Sequence, residues 1–175
     1  MRTLIFFNTL FGFFTIIAMI ISIVFLYLIF SKKKIFYIEQ FRDYLLFFPA
    51  SVAAFSMTGS LIYSEIIGFI PCDYCWYQRY VMYPLSAFLI YVAVTKKYVR
   101  IATFFAGAGS LISIRHIYLQ SGGGLGGTCA VDVPCTLKYV EIFNFISIPV
   151  MALTAFFTIF LSLMYYELSK KVEYE

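Results

Sequence analysis

Pro71-Cys72-Asp73-Tyr74-Cys75-Trp76-Tyr77-Gln78-Arg79 places a Cys-x-x-Cys pair at the head of a hydrophobic run, with an arginine one turn beyond the second cysteine. The run continues from Trp76 to Thr95, close to the roughly 20 residues that carry a helix across a bilayer. Four more runs have the same character: Leu4–Phe30, Leu45–Ile70, Ile101–Leu119 and Ile142–Tyr166. Ile101–Leu119 is the weakest of the five, because Arg115 and His116 interrupt its end. Backbone groups in lipid must bond within their own segment, so these runs are expected to be helices. Composition agrees, at 62% hydrophobic and 13% charged; soluble domains run at about 45–50% apolar and about 25% charged. The fold class expected is an all-α integral membrane protein.

Charge sets the orientation. Lys32, Lys33, Lys34 and Arg42 lie between the first two spans, Lys96, Lys97 and Arg100 between the third and fourth, and Lys170 and Lys171 after the fifth. Only Arg2, Arg79, Arg115 and Lys138 fall on the other side. The positive-inside rule makes the richer side cytoplasmic, so the N-terminus, the Cys72–Cys75 region and the loop 121–139 face outward. The net charge of +4 then reads as topology, and no basic patch interleaved with aromatics points to nucleic acid. The first run is longer than the 7–15 residues of a signal-peptide core and has no small-x-small cleavage site after it, so it reads as a retained anchor. The glycine-rich stretch 122–127 gives the outer loop slack.

All four cysteines, Cys72, Cys75, Cys129 and Cys135, fall on the outer, oxidising side, where disulfides persist. Three pairings are possible; Cys72–Cys75 and Cys129–Cys135 need the least chain closure. One reading is a non-catalytic membrane protein with two structural disulfides. Against it, a Cys-x-x-Cys loop removes little unfolded-state entropy, and such pairs have exchange-active thiols. A zinc site is the other bland reading. It is opposed by the wide C-x5-C spacing of the second pair and by the presence of a single histidine.

Pro71 precedes a helix that should begin near Cys72, and the free amides of a helix start stabilise an anion, lowering the pKa of one or both thiols. Cys75 and Arg79 share a face at i, i+4. Arg79 therefore either stabilises a Cys75 thiolate, or a developing anion on a bound acceptor, or snorkels to the headgroups. Gly109, Ser113 and His116 make a small-residue face at helical spacing, open to a neighbouring helix or a flat ring. His116 on that face either donates a hydrogen bond to a ring oxygen or sits at the interface without a role, and Arg115 points about 100° away from it. Glu65, about two turns before Cys72 and within the second run, needs a partner or a function. Tyr74, Trp76 and Tyr77 are interfacial aromatics or the wall of a ring-binding pocket.

Pro71-Cys72-x-x-Cys75-Trp76-Tyr77-Gln78-Arg79, preceded by Gly59-Ser60-Leu61-Ile62-Tyr63-Ser64-Glu65, resembles the disulfide bond formation protein B (DsbB) family, and most of all its short-loop BdbC-type members. His116-Ile117-Tyr118-Leu119-Gln120, Val133-Pro134-Cys135 and Phe145-Ile146-Ser147-Ile148-Pro149 extend the resemblance, which covers roughly Leu45 to Tyr166. It implies a four-helix transmembrane bundle in a prokaryotic cytoplasmic (inner) membrane. Residues 44–175 would form that bundle, with residues 1–43 adding one further N-terminal transmembrane helix and a basic cytoplasmic linker. It also implies a thiol:quinone oxidoreductase that reoxidises a DsbA-like thioredoxin-fold oxidant and passes the electrons to ubiquinone or menaquinone. Cys129 and Cys135 would be the shuttle disulfide, Cys129 meeting the soluble partner and Cys135 passing the exchange to Cys72. Cys75 would react with the quinone beside Arg79 and His116. The extra N-terminal span and the short second loop depart from the family pattern. Vitamin K epoxide reductase-like proteins run similar chemistry, but their loop cysteines precede the Cys-x-x-Cys, the reverse of the order here.

Overall fold

The computed structural model describes residues 2–31, 42–122 and 134–171. Helix α1 is Arg2–Ser31; a 3₁₀ turn over Arg42–Leu46 leads into α2, Phe47–Leu61, whose last turn widens into a π-helix at Ile62–Ile66; α3 is Asp73–Thr95, α4 is Val99–Gln120 and α5 is Ile148–Lys171. No strand occurs among the described residues. The all-helical class expected from the apolar runs is what the structure has. Three stretches, Arg2–Ser31, Tyr44–Ile66 and Ile148–Lys170, are long and apolar enough to cross a membrane. α3 and α4 are not among them, though their 23 and 22 residues suffice in length for a crossing.

α2 packs on α3, α3 on α4, α4 on α5, and α5 back on α2, so these four close a ring; α1 docks on α5 from outside it. The core is a seam of Ala53, Leu85, Leu89, Val92, Ala102, Ala106, Phe156, Ile159 and Leu163. Small residues hold the helices close: α4 buries Ala102, Ala106, Gly109, Ser113 and His116 at helical spacing. A Cβ on Gly109 would overlap the Phe156 ring, so the face expected to admit a helix or a ring admits a phenyl group from α5. Outward, α1 presents Phe6, Phe13, Ile23 and Phe30, and α4 presents Phe104 and Leu111, as lipid-facing surfaces do.

Two boundaries differ from the sequence reading. The last helix begins at Ile148, not Ile142. Phe143 and Asn144 take left-handed conformations, with φ of 51° and 64°, and backbone bonds between Ile142 and Ile146 close a turn there. Pro149 then sits in the first turn of α5, where its missing N–H costs nothing. The second span ends at Ile66 rather than Ile70, because the chain turns at Gly68, with φ of 83°, and Phe69 N–H bonds back to the Tyr63 carbonyl. Glu65 therefore lies on an exposed turn, accepting a bond from Ser64 Oγ at 3.2 Å, and not deep in the span. α3 absorbs Pro84 in its interior, and the expected basic turn between α3 and α4 is tight, with Lys96 and Tyr98 both left-handed.

Candidate active site

Cys72 is the last extended residue before α3, with φ −72° and ψ 171°. Its carbonyl accepts the Trp76 N–H. Cys75 follows in the first turn of α3, which brings the two sulfurs to 3.1 Å as free thiols sharing a hydrogen bond. α4 supplies the third group: His116 is 2% exposed, and its Nε2 lies 3.5 Å from Cys72 Sγ. His116 Nδ1 is buried with no hydrogen-bond partner among the described residues. The hydrogen bond shared with Cys75 and then the contact with His116 hold the Cys72 thiol well below its usual range, against the opposing effect of burial. The helix-start argument expected one or both thiols to be lowered; the position before the first turn is the one the surroundings favour as an anion.

Arg79 lies one turn beyond Cys75. Its Nη2 donates to the Ser60 carbonyl of α2 at 3.1 Å, and its guanidinium lies 5.3 Å from the Trp76 ring centroid. It is thus fixed against α2. Together with Cys75, Gln78 and Tyr83 it walls a cavity of about 530 Å³ that is otherwise bounded by α1, α2 and α5. That volume lies within the range of small-molecule sites, ~300–1,000 Å³. His116 and Cys72 are absent from its wall. The dithiol therefore has two sides: Cys75 reaches the cavity with Arg79, while Cys72 backs onto His116. The sequence reading had put Arg79 and His116 at one ring. Arg115 is exposed and lies over the Tyr118 ring at 5.3 Å, turned away from His116 as helical spacing required.

Gln78 is the residue the sequence reading passed over. It is 6% exposed and donates from Nε2 to Ser113 Oγ at 3.0 Å, joining α3 to α4 beside the cavity. Its signal was available: an amide inside an apolar run, three residues after Cys75. Tyr74 packs at 5.7 Å from the His116 ring, covering the dithiol, whereas Trp76 and Tyr77 are exposed. Cys135 is buried and disulfide-bonded; Cys129 lies outside the described residues. The Cys72 and Cys75 sulfurs and a His116 nitrogen all lie within 4.8 Å of one another, close enough to share a metal ion, although closed zinc sites use four ligands. Quinone chemistry needs an electron-pair donor and a cation at a lipid-side cleft, and Cys75 and Arg79 at one end of this cavity fit that requirement.

The profile of a family described as "Disulfide bond formation protein DsbB" matches residues 42–166. A "Probable disulfide formation protein" of Oceanobacillus iheyensis is 46% identical over 115 residues, covering 62% of this chain and 78% of the relative. A "Disulfide bond formation protein C" of Bacillus subtilis is 42% identical over 113 residues, covering 62% and 81%. A "Probable disulfide formation protein C 1" of Bacillus anthracis is 40% identical over 126 residues, covering 69% and 90%. No solved structure matches the chain.

Proposed function

The chain belongs to the disulfide bond formation protein DsbB family, and from that membership and the site geometry we propose that it is a membrane thiol:quinone oxidoreductase serving a DsbA-like thioredoxin-fold oxidant. One observation carries the reading: Cys75 and Arg79 wall the same cavity between helices, while the partner thiol, Cys72, is buried away from it against His116. A dithiol so placed can exchange on one side and discharge electrons on the other. All five helices cross the membrane in this reading, α3 and α4 included, and the cysteine loops face outward.

The electron count closes in four exchanges. The reduced partner attacks the Cys129–Cys135 disulfide at Cys129, and its second thiol resolves the mixed disulfide, leaving the partner oxidised and Cys129 and Cys135 as thiols. Cys135 then attacks Cys72 in the oxidised Cys72–Cys75 pair, and Cys75 leaves as a thiolate. Attack by Cys129 on Cys135 restores the loop disulfide and frees Cys72. Re-forming the Cys72–Cys75 bond releases two electrons and two protons, which a bound quinone, ubiquinone or menaquinone, accepts to become the quinol. His116 favours departure of Cys72 as an anion. Arg79 supplies positive charge where negative charge develops, and its bond to Ser60 fixes that charge in place.

The test is catalytic. Purified full chain, given quinone and a reduced thioredoxin-fold partner, should oxidise that partner over many turnovers, and Cys75→Ser should stop turnover. A Cys75→Ser protein with normal rates would sink the reading. A second reading, a metal site, rests on the proximity of Cys72, Cys75 and His116. It requires about one equivalent of zinc in the purified protein and loss of that metal on His116 substitution.

A further inference from the structure

The cavity is much deeper than a quinone ring. Along α1 its wall runs from Phe11 to Ile21, which at 1.5 Å per residue is roughly 15 Å; along α2 it runs from Phe48 to Tyr63. Cys75 and Arg79 stand at the end nearest Phe11 and Tyr63, so a ring beside them leaves the greater part of the length unfilled. The chemistry of that remainder is decided by its hydroxyls. Thr15 donates to the Phe11 carbonyl, Ser51 to Phe47, Ser56 to Val52 and Thr154 to Val150, each within its own helix. With those donors committed, the deep part offers a ligand mainly carbon, and a polar or hydrated occupant would lose hydrogen bonds on entry.

α1 makes the outer wall of this deep part, and it lies before the stretch the DsbB family profile matches, which begins at residue 42. It is fastened on both sides of the cavity. Above, Tyr63 Oη donates to Asn8 Oδ1 at 3.0 Å, and Phe11 sits over Gly59, where a Cβ would come within 3.0 Å of the ring. Below, Ser22 and Thr158 share a hydrogen bond of 2.8 Å, and Phe25 and Leu28 pack on Leu161 and Tyr165. Without α1, the cleft between α2 and α5 would be open along its length to lipid.

We propose that α1 turns this cleft into a channel for the isoprenoid tail of the quinone, with Phe14, Ala18 and Ile21 as its α1 wall. The inference rests on the quinone reading above and deepens it: the channel makes the enzyme select quinones by their tails. Ala18 is the small residue of that wall, so bulk added there enters the channel.

The test uses the full-length protein, reduced and freed of reductant, reoxidised in a single turnover by either of two probes. One is 2,3-dimethyl-1,4-naphthoquinone, which has no tail; the other is the same ring system with an isoprenoid tail in place of one methyl. In the unaltered protein the tailed probe should half-saturate at a concentration at least about tenfold lower. Ala18→Phe should collapse that ratio toward one. Phe14→Ala, which opens the wall instead of filling the channel, should lower the ratio too, and carries the test if Ala18→Phe does not accumulate. A ratio near one in the unaltered protein, as expected if the channel holds a lipid acyl chain, overturns the inference, and so does a ratio that both variants preserve. Failure of the unaltered protein to be reoxidised by either probe strikes the quinone reading itself.

Discussion

At the scale of single residues, the asymmetry of the dithiol is the main result. Cys72 precedes the first turn of α3, is hydrogen-bonded with Cys75 and lies against His116, and these contacts depress its pKa. An acid with a depressed pKa keeps its anion as pH falls. Thiolate absorbance of the reduced protein should therefore persist below the ordinary thiol range near about 8.5, and His116→Phe should move the midpoint upward. A midpoint that ignores His116 would remove that residue from the chemistry. The sequence made the Cys-x-x-Cys, Arg79 and His116 legible as a group, because helical spacing puts Arg79 one turn from Cys75 and a small-residue face under His116. It did not reveal that Cys72 and Cys75 look in different directions. That follows from α4 lying on one side of α3 and α2 on the other, which is a property of helix packing and not of spacing.

At the scale of elements, close contact between helices depends on particular small residues. Gly109 is the tightest case, since any Cβ there overlaps Phe156, a ring that is itself fully buried. Gly109→Ala should cost about 1–3 kcal/mol, as overpacking of a filled core does, and lower the thermal unfolding midpoint in detergent by several degrees. An unchanged midpoint would mean that α4 and α5 separate freely. Hydropathy gave the helices their approximate extents but misplaced the start of α5 and the end of α2. Both errors have one cause. Ile142 and Phe143, like Ile67, Phe69 and Ile70, are apolar residues in turns, and a turn made of apolar residues cannot be told from a helix by composition. The left-handed pair Phe143–Asn144 carries no glycine to announce it.

For the whole molecule, orientation is the testable property. A membrane-impermeant maleimide added to intact cells should label a cysteine placed at Ser121, and should label one placed at Lys97 only after permeabilisation. Both positions are exposed, so reactivity reports the side and not burial; the reverse pattern would invert the topology. The cation distribution made that orientation legible. What no reading of single runs could give was the space enclosed by α1, since a cavity belongs to several segments at once. The wide turn at Ile62–Ile66 bears on this scale too. A π turn holds one residue more than the α-helix around it would use, so it records an insertion that the helix has accommodated. Removing one residue there would leave α2 continuous and apolar, and gross folding would survive. Everything after it would be rotated by about 100° relative to α2, carrying Cys72 and Arg79 out of phase with Ser60. A shortened lineage could keep its place in the membrane and lose its redox function in a single genetic step.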